Sequence, residues 1–86
     1  MNHLHQEFDL SANAVVEVTL DRQANVLLMD SLNYQAYRRG GSYRYTGGLA
    51  KVSPARLSPP HAGHWHVVIN LGGFGGQVRA GVRVLQ

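Results

Sequence analysis

Histidine is the first residue type in this 86-residue chain whose spacing could do chemistry. His3 and His5 form one H-x-H pair and His64 and His66 a second. On a strand, residues two apart project from the same side, so each pair points its two imidazoles in one direction, as metal sites on strands require. Neither pair is a complete ligand set. A site needs three or four converging donors, and His3 and Asp9 on one strand stand ~20 Å apart at ~3.3 Å per residue. Only the union of both pairs on adjacent strands would serve. The simpler expectation is solvent-facing imidazoles and no bound metal; His61 adds nothing to either pair.

The second constellation is Tyr37-Arg38-Arg39-Gly40-Gly41-Ser42-Tyr43-Arg44-Tyr45. Guanidinium groups make charge-assisted bonds to phosphate, and a tyrosine ring offers a face worth ~1 to 3 kcal/mol per stacked base. Tyr37, Arg38, Arg39, Tyr43, Arg44 and Tyr45 are therefore the candidate ligand-binding residues, for an anion. Against this, alternation puts Tyr43 and Tyr45 on one face and Arg44 on the other, so the same segment also reads as a basic turn with its rings on the core.

Gly72-Gly73-Phe74-Gly75-Gly76 superficially resembles a phosphate loop, but no Lys-Ser/Thr follows it and no helix stands behind it. Phe74 is expected to cap the core. Glu7 and Asp9 imitate a catalytic carboxylate pair, yet a solvated strand edge explains them as well. No nucleophile elbow surrounds a serine, and no catalytic residues are assigned.

The elements that must position these residues follow from periodicity. Leu4, Gln6, Phe8 and Leu10 alternate with His3, His5, Glu7 and Asp9, and Ala14, Val16, Val18 and Leu20 repeat the two-residue rhythm of a strand. The run Asn25-Val26-Leu27-Leu28-Met29-Asp30 is continuous but too short for a helix, which predicts a strand buried on both faces. Residues 42–45 and 49–52 read as a hairpin turned by Gly47-Gly48. Residues 53–60 can form only an edge strand or extended loop, because proline donates no ladder hydrogen bond. Trp65, Val67, Ile69 and Leu71 share one face of a strand, Val78, Ala80, Val82 and Val84 one face of the next, and the glycine-rich stretch predicts a wide hairpin between them. Near residues 30–37, with Asp30 or Ser31 as cap, a turn or short 3₁₀ segment is expected. Seven or eight short strands in one domain, residues 1–86, predict an all-β antiparallel sandwich or jelly roll.

Charge is unevenly distributed. All five acids lie within residues 1–30, opposed there only by Arg22, whereas residues 31–86 hold six arginines and Lys51 and no acid. The first stretch carries −4 and the rest +7. That imbalance suits either an anionic partner or pairing within the fold. The wet face of the first strand carries Glu7 and Asp9 and that of the last carries Arg79 and Arg83, so the terminal strands are expected to be neighbours. Without cysteine there is no disulfide, thiolate metal site or cysteine nucleophile. A start without a basic and apolar run, and the lack of any ~20-residue apolar segment, predict a cytoplasmic protein with no membrane partner.

Taken together, Val15-Val16-Glu17-Val18-Thr19-Leu20, Asn25 to Asp30, Tyr37-Arg38-Arg39-Gly40, Tyr45-Thr46-Gly47-Gly48, Gly63 to Ile69, Gly72-Gly73-Phe74 and Val78 to Leu85 resemble a family of small uncharacterised bacterial proteins, a domain of unknown function found alone or alongside TIR domains. The resemblance implies an all-β fold and a bacterial, cytoplasmic setting. It implies no activity, so it assigns no catalytic residues, and no cofactor is expected. Three functions follow as expectations: a non-catalytic binding module for an anionic ligand or protein surface, a small metal-dependent enzyme using His64 and His66, and a homo-oligomer built through exposed strand edges.

Overall fold

The computed structural model describes residues 3–73 and 75–86, so the expected role of Phe74 lies outside the described residues. Among the described residues, seven strands and one helix run in the order β1 (Leu4–Leu10), β2 (Val15–Leu20), β3 (Ala24–Met29), α1 (Ser31–Arg39), β4 (Thr46–Ala50), β5 (Ala55–Leu57), β6 (Gly63–Asn70) and β7 (Ala80–Leu85). The strands make two antiparallel sheets, one in the order β1-β6-β3-β4 and the other β5-β2-β7. The predicted all-β sandwich is the observed fold.

Period-two patterning explains the layers. Trp65, Val67 and Ile69 of β6, with Val26 and Leu28 of β3, point from the larger sheet onto Val16 and Val18 of the smaller, and all are buried. The opposite face of the larger sheet carries Leu27, Met29 and Val68, which are buried under Tyr34 of α1. The continuous apolar run of β3 is accounted for by these two cores, one on each side. Each fully buried aliphatic side chain contributes about 1.5 to 3 kcal/mol, and β3 and β6 carry the larger share of these side chains.

The helix is longer than expected. Asp30 caps it by accepting from Asn33 N–H at 2.8 Å. Gly40 ends it in the left-handed region at φ 78°. There Gly40 N–H donates to Tyr37 O at 3.1 Å and Gly41 N–H to Ala36 O at 2.9 Å. Two good caps and a buried Tyr34 carry nine residues of mostly polar sequence into an α-helix rather than a single turn.

Three pairings expected from the sequence are overturned. Residues 42–52 form no hairpin: Gly47 and Gly48 sit inside β4, opposite Leu27 and Val26. Glycine is needed there because a Cβ on Gly47, which holds φ 115°, would collide with the Val26 carbonyl. The glycine-rich stretch does not join a hairpin either, because both edges of β6 are taken, by β1 and β3, and β7 crosses to the other sheet to pair with β2. The terminal strands are therefore not neighbours. Arg83 finds its carboxylate on β2, at Glu17, instead of on β1. The expected edge strand in 53–60 is β5.

Candidate functional site

Antiparallel pairing of β1 with β6 brings the two H-x-H pairs together. Across this ladder His5 faces Val68, Glu7 faces His66 and Asp9 faces His64, so all these side chains emerge on the face that α1 partly covers. His5 Nε2 and His66 Nδ1 lie 2.7 Å apart, sharing one proton. The other nitrogen of His66, Nε2, is 2.8 Å from Ser31 Oγ at the first turn of α1 and 3.9 Å from Glu7 Oε1. His64 is held at both ends, with Nε2 donating to Glu7 Oε1 at 2.9 Å and Nδ1 to Asp9 Oδ1 at 2.8 Å. His3 Nε2 meets the Tyr34 hydroxyl at 3.0 Å.

Rings stack through the same seam. Tyr34 lies parallel to His5 at a centroid distance of 4.1 Å and to His66 at 4.6 Å. His66 is only 6% exposed. Burial pushes the pKa of both His5 and His66 down, outweighing the nearby Glu7 carboxylate. His64 behaves oppositely: hydrogen bonds to Glu7 and then Asp9 raise its pKa, and the bond from His64 holds Glu7 below the usual carboxylate range. The cluster thus contains a charge-bearing bridge at His64 and a neutral-favouring pair at His5 and His66. One nitrogen from each of His5 and His66 and a Glu7 carboxylate oxygen all lie within 4.8 Å of one another.

The tyrosine-arginine constellation is drawn apart. Tyr37 packs into the helix–sheet seam, where its hydroxyl accepts from Asn70 Nδ2 at 2.9 Å and burial raises its pKa. Its ring meets Tyr43 edge-on at 5.1 Å, and Tyr43 lies 5.7 Å from the half-exposed Tyr45. Arg38 and Arg39 occupy the exposed last turn of α1, Arg38 with its guanidinium 5.9 Å from the Tyr34 ring centre. Arg44 is exposed, anchored through its backbone N–H to Asn33 Oδ1 at 2.8 Å. The six residues make a ribbon of rings flanked by separate cations.

Sequence reasoning missed Glu7, Ser31 and Tyr34 as members of the histidine cluster. The H-x-H pairs were legible, and Glu7 shares the face of His5 at two-residue spacing. Ser31 and Tyr34 join only because α1 lies across β6, which no local spacing reveals.

An antiparallel β-sandwich with one helix on its outer face, and an imidazole-lined seam beneath that helix, defines the class of protein. The chain belongs to the family described as a domain of unknown function (DUF1883), whose model matches residues 1–86. No curated protein and no solved structure matches it. Among the described residues, no helix is long and apolar enough to cross a membrane.

Proposed function

We propose that this domain is a non-catalytic binding module whose binding element is the imidazole and carboxylate face where β1, β6 and α1 meet. The support is the makeup of the seam itself. Leu27, Met29 and Val68 fill one part of it with apolar side chains, and the adjoining part holds His5 and His66 at 2.7 Å. Burying imidazoles costs desolvation that leucine or phenylalanine would not incur. Such departures from the apolar choice concentrate where a fold gives up stability for function.

The test is stability without the imidazoles. His5→Phe, which keeps the stack on Tyr34, and His66→Leu should each unfold in urea at or above the wild-type midpoint. A loss of more than about 2 kcal/mol in both would make the cluster structural and end the reading.

Arg38, Arg39 and Arg44, with Tyr37, Tyr43 and Tyr45, support a second reading as an anion-binding surface. Among the described residues none of the three cations pairs with a carboxylate, whereas Arg56 and Arg83 are both committed to Glu17. The competing role for Arg38 and Arg39 is to offset the negative end of the α1 dipole. Titration with nucleotides, oligonucleotides and acidic peptides separates the two, and no response at low salt removes the anionic ligand. The resemblance carried by the motifs supports a bacterial, cytoplasmic setting, and some relatives carry the domain alongside a TIR domain.

A further inference from the structure

We propose that His5, Glu7 and His66 form a site for one divalent first-row transition-metal ion, with zinc as the ion best matched to it. The proposal rests on the binding-module reading and names the ligand of that face.

Three features carry it. First, the donors come from paired strands and not from loops. His5 and Glu7 are two apart on β1, and His66 is the direct partner of Glu7 on β6, so ladder hydrogen bonds fix their spacing. One donor atom from each already lies within 4.8 Å of the other two, and Glu7 Oε1 stands 3.9 Å from the far ring nitrogen of His66, Nε2. Tetrahedral zinc with Zn–N bonds of ~2.0 to 2.1 Å sets ligand atoms about 3.3 Å apart. His5 Nε2 and His66 Nδ1, now 2.7 Å apart around a shared proton, need to separate by only about half an ångström for an ion to replace that proton. Glu7, whose side chain is half exposed, must swing in to join them, and the ladder between β1 and β6 leaves that adjustment to the side chains.

Second, the outer partners that orient metal ligands are in place. With Nδ1 of His66 turned to the ion, Nε2 stays 2.8 Å from Ser31 Oγ, which is placed to accept from an Nε2–H as an outer-shell group does. Glu7 is oriented by His64, itself anchored to Asp9, and Tyr34 stacks on both ligand rings.

Third, the donor set selects the ion. Two imidazoles and a carboxylate, in a chain without cysteine, suit a borderline cation such as zinc, nickel or cobalt rather than calcium or copper(I). Glu7 has a half-exposed side chain, so the fourth position opens to water.

The experiment uses the untagged full chain, stripped with chelator and titrated calorimetrically with zinc chloride and then nickel chloride. One ion per chain is expected. His5→Gln, His66→Gln and Glu7→Gln should each weaken binding more than about 100-fold, and Ser31→Ala about 10- to 100-fold. His61→Gln, outside the cluster, should bind as wild type. Circular dichroism melts confirm folding, and Glu7→Gln, at an exposed position, keeps the test valid should a histidine variant unfold. No saturable binding to the wild type, or equal weakening by His61→Gln, overturns the proposal. If zinc fails while His5→Phe and His66→Leu stay stable, the metal is wrong and the binding-module reading survives. If zinc fails and those two variants also lose stability, both readings fail.

Discussion

Arg83 on β7 reaches Glu17 on β2 directly across their ladder, Nη2 to Oε1 at 2.8 Å. Arg56 of β5 binds the other carboxylate oxygen from the opposite side at 3.1 Å. Glu17 is 8% exposed, so one nearly buried carboxylate ties together all three strands of the smaller sheet.

An acid-limb prediction follows. Burial pushes the Glu17 carboxyl up, but hydrogen bonds from Arg56 and Arg83 outweigh it and leave the pKa below its ordinary value of 4.5. A carboxyl depressed in the folded state stabilises the fold above its unfolded pKa, and that contribution is lost as pH falls through 4.5 and below. Thermal melts from pH 7 to pH 3 should therefore show a steeper acid loss for wild type than for Glu17→Gln. Asp30 is also held low, first by the Asn33 backbone N–H, so the variant should flatten the profile without abolishing it. Equal slopes would show that Glu17 carries no linkage.

The pairing also shows what the sequence could and could not convey. Arginine on the wet face of the last strand correctly signals a carboxylate opposite, but Glu7, Asp9 and Glu17 all satisfy that signal. The choice is made by topology, because β7 lies in the smaller sheet, where its ladder partner is β2. Strand positions and buried faces were legible where alternation is local, as in β1, β2 and the doubly buried β3, but the alternation at 42–45 forms no strand. Gly47 and Gly48 were misleading for the same reason: a glycine pair marks a turn by propensity, and here it marks close backbone approach to Val26. The helix was under-read because its polar residues give a weak apolar stripe, and its length depends on caps and on Tyr34 finding the sheet.

Removal of the helix cap should loosen the site from one side. Asp30→Ala deletes the bond to Asn33 N–H and should cost about 1 kcal/mol. The loss should be local. Hydrogen exchange should accelerate at Tyr34 and Gln35 amides while β3 and β6 stay protected. Unchanged exchange in α1 would show that packing of Tyr34 alone holds the first turn.

Gly47→Ala should destabilise by roughly 1 to 3 kcal/mol, because it adds a side chain at φ 115° and against the Val26 carbonyl. Gly73→Ala, where an added Cβ meets nothing within 4 Å, is the control and should change stability little. Urea unfolding at constant m-value measures both. Equal midpoints would mean that β4 can shift away from β3 at no cost.

Tyr34 separates packing from polarity in the seam. Its ring lies flat on His5 and His66 and covers Val68, while its hydroxyl meets His3 at 3.0 Å. Tyr34→Phe keeps the stack and removes one partly buried hydrogen bond, so it should cost about 0.5 to 1.5 kcal/mol. Tyr34→Ala removes the ring from a site 8% exposed and should cost about 3 to 5 kcal/mol, in the range of other large aromatic truncations. The two variants should also differ in zinc titration: Tyr34→Phe holds both imidazoles in place and binds near the wild-type level, whereas Tyr34→Ala frees them to rotate and binds more weakly. Equal affinity in both would show that the ladder between β1 and β6 positions the rings without help from the helix.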